Sequence, residues 1–348
     1  MKKYSNSLCP GKVKWSYLED ALRGSVDSDP QVLVGPGKGM DAAVVDPGEQ
    51  LIVVATDPVT FATGDAARYA VHVNANDVAV LGARPRWFQA VLLLPDKRTT
   101  TDLPGEILSA IREELEKLGA VLVGGHTEVV TGLQDPIVVG QMIGQVSREA
   151  LVRPGRAVVG DALLLAGGIA IEATALAAKE KKEQLLEKGV TLGEIAKAAA
   201  YMDDPGISIV RAALAAAATG CVHAMHDITE GGLITAVEEL AHCSGKGVVL
   251  DGDSLQVARL TEKVLGVLGM DPLGSIGSGG LLISCPADSA DLVSRAVRLA
   301  GSPCSGIGSM TSDSKERCLY NGAEVLDWPI FQVDEWARSA GSIMKNDS

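Results

Sequence analysis

Three aspartates stand where their carboxylates could hold a metal ion. Asp41 follows six residues that contain three glycines, Gly35 to Met40. Asp57 sits just past the end of a wholly apolar run, Leu51 to Ala55. Asp77 lies four residues after Val73 and four before Leu81, which puts its carboxylate on an otherwise apolar helix face. A buried carboxylate is costly without a partner, and Mg²⁺, a hard cation that takes carboxylate and phosphate oxygens, is a suitable one. Together these aspartates could share magnesium ions that carry the phosphates of ATP. Helix capping or a turn is the competing reading for Asp41 and Asp57. For Asp77 the competitor, a core carboxylate satisfied by a neighbour, is uncommon.

Three glycine-bearing segments add polar backbone to this set. Gly35-Pro-Gly37-Lys38-Gly39 could wrap phosphates with its N–H groups. It lacks the spacing and the Ser or Thr of a Walker A loop, and a flexible loop is the alternative. Gly124-Gly125-His126-Thr127-Glu128 follows an apolar run and reads as a turn with polar ends, either functional or a simple reversal. Asp227-Ile-Thr-Glu-Gly-Gly232 follows another run and opens a helix, where free N–H groups suit an anion. Ordinary capping by Asp227 or Thr229 explains it equally well. Cys221-Val-His223-Ala-Met-His226 does not supply the four convergent ligands of a structural zinc site, because strand alternation sends His226 the other way. Cys9, three residues before Lys12, could be a reactive thiol, although a lone cysteine near a terminus is more often incidental. No HExxH, GxSxG or complete GxGxxG occurs.

The elements that must position these residues follow from apolar periodicity. Residues 1–30 read as an arm with one short helix. Strands are expected at 51–55, 88–94, 120–123, 137–146, 162–166, 221–225, 280–285 and 304–309. Helices are expected at about 64–81, 106–118, 170–180, 194–201 and 206–218, with another after Gly232. Residues 181–193 read as charged and exposed, and the chain from 335 as a frayed tail. The composition changes around Arg153-Pro-Gly155. The expected domains are 31–152 and 153–334, in an α/β (α+β) layered fold.

Composition narrows the function. Apolar residues make up 47% of the 348 and aromatics only 3%, so the core must be aliphatic. A net charge of −13 with no basic face argues against nucleic acid as partner. No run reaches the roughly 18–20 apolar residues of a membrane span, and no apolar signal segment follows the N-terminus. Six scattered cysteines without a CxxC pair fit reduced thiols in a cytoplasm.

The segments occur in an order that resembles the AIR synthase superfamily. Gly39-Met-Asp41-Ala-Ala-Val-Val resembles its "DAAV" element and Thr56-Asp57 its "TD" strand end. Val73-Asn-Ala-Asn76-Asp77-Val-Ala-Val-Leu-Gly-Ala-Arg-Pro85 resembles the "NDLAxxGAxP" helix. Gly124 to Glu128 is similar to the "GGxT" loop, and His226-Asp227-Ile-Thr-Glu-Gly-Gly-Leu233 to "RDxTRGGL". The resemblance covers about residues 31–330. His226 and Glu230 stand where many members have arginines.

The resemblance implies a two-domain fold with a β-rich, dimerising, ATP-binding N-terminal domain and an α/β C-terminal domain. It implies a homodimer that uses ATP and Mg²⁺ on an oxygen-bearing small or protein-bound substrate. It also implies Asp41, Asp57 and Asp77 as metal ligands. Gly37, Lys38, Gly39, Asn76, Gly124, Gly125 and Thr127 would lie along the nucleotide, with Asp227, His126 and Glu128 as catalytic candidates. Asn76-Asp77, the Asp227 motif and Leu268-Gly-Met-Asp-Pro-Leu273 are most similar to the hydrogenase-maturation (HypE-like) branch. That branch ends in a cysteine, whereas this sequence ends at Ser348 and its last cysteine is Cys318. Gly279 and Glu128 fall where that enzyme has a glutamate and a lysine. Fainter likenesses to selenophosphate synthetase and thiamine-monophosphate kinase keep a phosphotransferase open. So do readings as a nucleotide-binding accessory protein for metalloenzyme maturation and as a dimeric scaffold.

Overall fold

The computed structural model describes residues 31–34, 38–40, 42–60 and 65–341. The expected helix within 1–30, Cys9, Gly37 and Asp41 lie outside the described residues. The chain folds as α/β around two sheets that share no strand. The first has six strands: β1 (Val32–Val34), β2 (Ala43–Val45), β3 (Leu51–Val59), β4 (Arg84–Pro95), β5 (Val121–Val130) and β6 (Ile137–Val146). Their order is β1-β2-β3-β6-β4-β5, and among the described residues only β4 and β5 run parallel. The second has seven: β7 (Asp161–Gly167), β8 (Ala224–Asp227), β9 (Gly247–Asp251), β10 (Gly280–Pro286), β11 (Cys304–Thr311), β12 (Arg317–Asn321) and β13 (Glu324–Leu326). Their order is β13-β12-β9-β11-β7-β10-β8.

Helix α1 (Ala66–Ala79) lies between the first sheet and the second half of the chain, and α2 (Leu103–Leu118) packs beside it. Most of α1 is buried, its polar residues His72, Asn74, Asn76 and Asp77 included. Glycines let it lie this close to the sheet. A Cβ on Gly140 of β6 would sit 2.6 Å from Asn74 Nδ2, and one on Gly144, a helical turn further along α1, would collide with Val78. The helix Glu106–Leu118 expected from periodicity starts slightly earlier, with Pro104 in its first turn, and stops at Gly119, whose φ of 68° ends it.

The second half carries α3 (Ile171–Glu180), α4 (Lys182–Glu187), α5 (Leu192–Ala199), α6 (Val210–Ala217), α7 (Gly232–Ser244), α8 (Arg259–Val267), α9 (Ala290–Leu299) and α10 (Glu335–Gly341). Residues 181–193 are not simply an exposed charged stretch, because Leu185 is wholly buried and forms a helical anchor. A capping box between Thr191 and Glu194 starts the next helix. The expected frayed tail is also corrected. Residues 335–341 form α10, tied down by Arg338 Nη2 donating to Gly269 O (2.6 Å) and by Asp271 N donating to Glu335 Oε2 (3.1 Å). Among the described residues, no helix is long and apolar enough to cross a membrane.

The halves are joined mainly through α1. Asn76 Nδ2 donates to Ile207 O and Ile209 N donates to Asn76 Oδ1, both at 2.9 Å. The amide thus pairs with the backbone ahead of α6 as a strand residue would. Tyr69 Oη donates to Met202 Sδ (3.0 Å), and Arg68 pairs with Asp203 (2.7 Å). Removing the Asn76 amide leaves a buried N–H and C=O unpaired, at about 1–3 kcal/mol each. Asn76→Ala is expected to lower unfolding free energy by about 2–6 kcal/mol in urea titrations while keeping the far-ultraviolet circular dichroism. A loss below about 0.5 kcal/mol would show that the bracket does not hold the halves together.

Candidate active site

Asp57 sits inside β3, which continues through Thr56-Asp57-Pro58 instead of ending at Ala55. Alternation puts Asp57 on the face of Leu51, Val53, Ala55 and Val59, the buried side that meets α1. Its position is fixed by a residue that sequence reasoning passed over. Asp57 N donates to Asn74 Oδ1 (2.9 Å), and Asn74 Nδ2 donates to Ala70 O (2.8 Å). Asp77 is three residues further along α1, hence on a neighbouring part of the same helix surface. It is 7% exposed. Two carboxylates are therefore gathered at the seam between helix and sheet, and hard oxygen donors of this kind suit Mg²⁺. Among the described residues, no three metal-ligating side chains converge.

Across the seam lies the Asp227 segment. Strand β8 starts at Ala224 and not at Cys221, so His226 and Asp227 are its last two residues, both buried. Helix α1 touches β8. The Lys38-Gly39 turn meets this region from the first half. Gly39 has φ 73°, and a Cβ there would lie 2.9 Å from Glu239 O in α7. Gly39 thus meets α7 at the junction of the two halves, where α1, which carries Asp77 and holds Asp57 through Asn74, touches the strand that ends at Asp227. Asn76 belongs to the same helix, but its side-chain amide bonds to the backbone of residues 207 and 209.

The Gly124 to Glu128 segment corrects the expected turn. It is strand, paired in parallel with β4 from Gln89↔Gly124 to Leu93↔Glu128. An open edge on β4 offered the backbone partners, and a shift in register before Gly124 is accommodated by Gly125, where any side chain would collide with Ala90 O. His126 and Glu128 project from one face, 3.6 Å apart and 66% and 60% exposed. Thr127 projects from the other. Strand β5 packs on β4 and α2, whereas β8 packs on β10, α7 and α1. One chain therefore does not unite His126, Thr127 and Glu128 with Asp227.

The start of α7 also differs from expectation. Neither Asp227 nor Thr229 caps it. The N-cap is Gly231, whose N–H donates to Asp334 Oδ2 (2.7 Å), a carboxylate 103 residues downstream. The amide expected to be free for an anion is thus taken by the chain itself. Burial pushes Asp334 up to about 6, against the lowering effect of the N–H groups of Gly231 and Trp336. Glu172, in the first turn of α3, is 1% exposed and accepts from Ser278 N (3.1 Å). Burial pushes it up to about 7, the Ser278 hydrogen bonds oppose this, and the charges of Asp334 and Glu230 add to it. The Glu172–Ser278 pair buttresses the glycine loop 277–280. Sequence reading missed both because each partner is more than 100 residues away.

Residues 39–146 match the N-terminal domain, and residues 158–321 the C-terminal domain, of the AIR synthase related proteins. The chain belongs to this family. Within it, the chain is 30% identical over 300 residues to the carbamoyl dehydratase HypE of Cupriavidus necator, covering 82% of each protein. It is 26% identical over 334 residues to a putative hydrogenase expression/formation protein of Methanocaldococcus jannaschii, covering 92% of this chain and 95% of that one. A solved structure of the hydrogenase maturation protein HypE in complex with ATP shares the fold, with a TM-score of 0.68, 22% identity and coverage of 94% and 98%.

Glu172 gives a pH prediction. Below about pH 4.5 its carboxyl is protonated whether the chain is folded or not. Between about 4.5 and 7 the unfolded carboxyl ionises while the buried one keeps its proton, so the folded state loses relative stability as pH rises. Above about 7 that loss is constant. Glu172→Gln is therefore expected to melt higher relative to the native chain as pH rises from 5 to 7.5. A melting-point difference that does not change over this range would contradict the assignment.

Proposed function

We propose that the chain is an ATP- and magnesium-dependent enzyme that phosphorylates or dehydrates an oxygen-bearing small or protein-bound substrate, related to the hydrogenase maturation factors. The observation that carries this reading is the burial of Asp77 on the helix that also fixes Asp57, at the junction that receives the Lys38-Gly39 turn. Carboxylates gathered at such a junction have an evident use when a divalent cation and polyphosphate are bound. The carbamoyl dehydratase HypE among the relatives and the ATP complex of another HypE support the same substrate class.

Phosphoryl transfer requires positioning and charge neutralisation more than covalent participation by the protein. Asp57 and Asp77, with Asp41 from the sequence motif, would hold magnesium, which supplies the positive charge that phosphate oxygens require. The Lys38-Gly39 turn brings backbone N–H groups towards the phosphates. Asp227, at the end of β8, faces the acceptor from the second half, where it can orient a hydroxyl or amide oxygen for attack.

The assembly is a homodimer through β5. Among the described residues, this strand leaves one edge of the first sheet unpaired, and it exposes Val121, Val123 and Val129 at 59%, 51% and 55%. An unpaired apolar edge is a template for pairing with a second copy. Val123→Asp is expected to convert a dimer into a monomer in sedimentation velocity, and a native chain that sediments as a monomer would reject this interface.

The activity is tested by following ADP and phosphate release by ³¹P nuclear magnetic resonance with carbamoyl- and amide-bearing acceptors. Acceptor-dependent release is expected. Asp77→Asn should weaken magnesium-dependent ATP binding about tenfold, or about 1.4 kcal/mol, without unfolding the chain. Unchanged affinity in a folded Asp77→Asn protein would remove this residue from the metal site.

A further inference from the structure

Below the Lys38-Gly39 turn, three side chains form a short cluster of which the proposed chemistry uses Asp227 alone. His226 Nε2 lies 3.2 Å from Glu239 Oε2, and His226 Nδ1 lies 3.8 Å from Asp227 Oδ1. The imidazole and Asp227 are 4% and 3% exposed in their side chains, and Glu239 is 13%. The ring therefore stands between two carboxylates, within hydrogen-bond distance of Glu239 through Nε2 and within ion-pair distance of Asp227 through Nδ1. Glu239 has a second contact of consequence, since its main-chain carbonyl is the atom against which Gly39 packs. One residue of α7 thus touches the glycine turn with its backbone and the imidazole with its side chain.

The chemistry of the ring decides what this arrangement does. A neutral imidazole has one N–H and can donate to one carboxylate only, whereas the protonated ring donates from both nitrogens. A cation between two sequestered carboxylates also offsets the cost of burying negative charge. We propose that His226, as a protonated ring held by Glu239, is a positioning residue that sets the Asp227 carboxylate in register with the Lys38-Gly39 turn. His226 itself, buried beneath the turn, does not touch the nucleotide. The inference rests on the nucleotide site proposed above and deepens it: the pocket floor is one ion-paired unit that meets the first half of the chain through Gly39.

The first test is independent of nucleotide. In protein labelled with ¹⁵N at its histidines, the ring signals of His226 are identified by their loss in His226→Gln. Both ring nitrogens are expected to carry protons at pH 7.5, and Glu239→Gln should remove one of them at the same pH. A His226 ring with one bare nitrogen in the native chain overturns the proposal. The second test is calorimetric titration with a non-hydrolysable ATP analogue and Mg²⁺. His226→Gln and Glu239→Gln are each expected to weaken binding on the order of tenfold. If the native chain binds and both folded variants bind equally well, the positioning role is wrong while the nucleotide site stands. If the native chain does not bind at all, the proposed function fails, and the ring signals still decide the charge state. Should His226→Gln not fold, Glu239→Gln, which keeps the size and the hydrogen-bonding oxygen, carries the test alone, and unchanged affinity in it overturns the proposal.

Discussion

A helix buried on nearly every side must settle each of its polar side chains against a neighbour, and α1 is such a helix. Sheet, second half and α2 enclose it, and Asn74, Asn76, His72 and Asp77 all point into protein. Each faces a different task. Asn74 grips the backbone of β3 beside Asp57, and Asn76 grips the backbone ahead of α6. His72 Nε2 meets Glu114 of α2 at 2.9 Å, a contact that holds Glu114 down to about 2. Asp77 remains as the carboxylate at the junction. The polar groups of one helix thus set the sheet, the second half and the candidate metal ligands in a single frame, and the penalty for an unmatched buried group enforces it.

The junction also explains why glycine recurs there. Gly140 and Gly144 let α1 rest on β6, and Gly39 lets the turn of the first half rest on α7. Each removes a side chain where two backbones must come within contact distance. The Glu172–Ser278 and Asp334–Gly231 pairs then tie α3 and the final helix to the loops that flank Asp227. These loops are held by buried carboxylates that burial raises above their ordinary range.

Much of this was legible in the sequence where the signal is local. Ile137–Val146 follows from its apolar run, α1 from its period and α2 from period plus Gly119. Asp77 was legible because a carboxylate on an apolar helical face is uncommon. What was not legible depends on distant partners. Gly124 to Glu128 looks like a turn, but the free edge of β4 makes it a strand and carries His126 and Glu128 away from Asp227. The cap of α7 comes from Asp334, and the contact of Glu172 is with Ser278, neither of which periodicity can connect. Asn76 reads from the motif as a nucleotide ligand, whereas its hydrogen bonds are spent on joining the two halves.

In the proposed function, Asp57 and Asp77 face a divalent cation and a nucleoside triphosphate at the junction of the two halves. The most direct test is a crystal grown with a non-hydrolysable ATP analogue and Mn²⁺, with the metal located by its anomalous scattering. A metal peak is expected about 2.1 Å from carboxylate oxygens of Asp57 and Asp77, with the analogue's phosphates between that peak and the Lys38-Gly39 turn. An analogue bound elsewhere, or a junction without metal at saturating analogue and Mn²⁺, would contradict it.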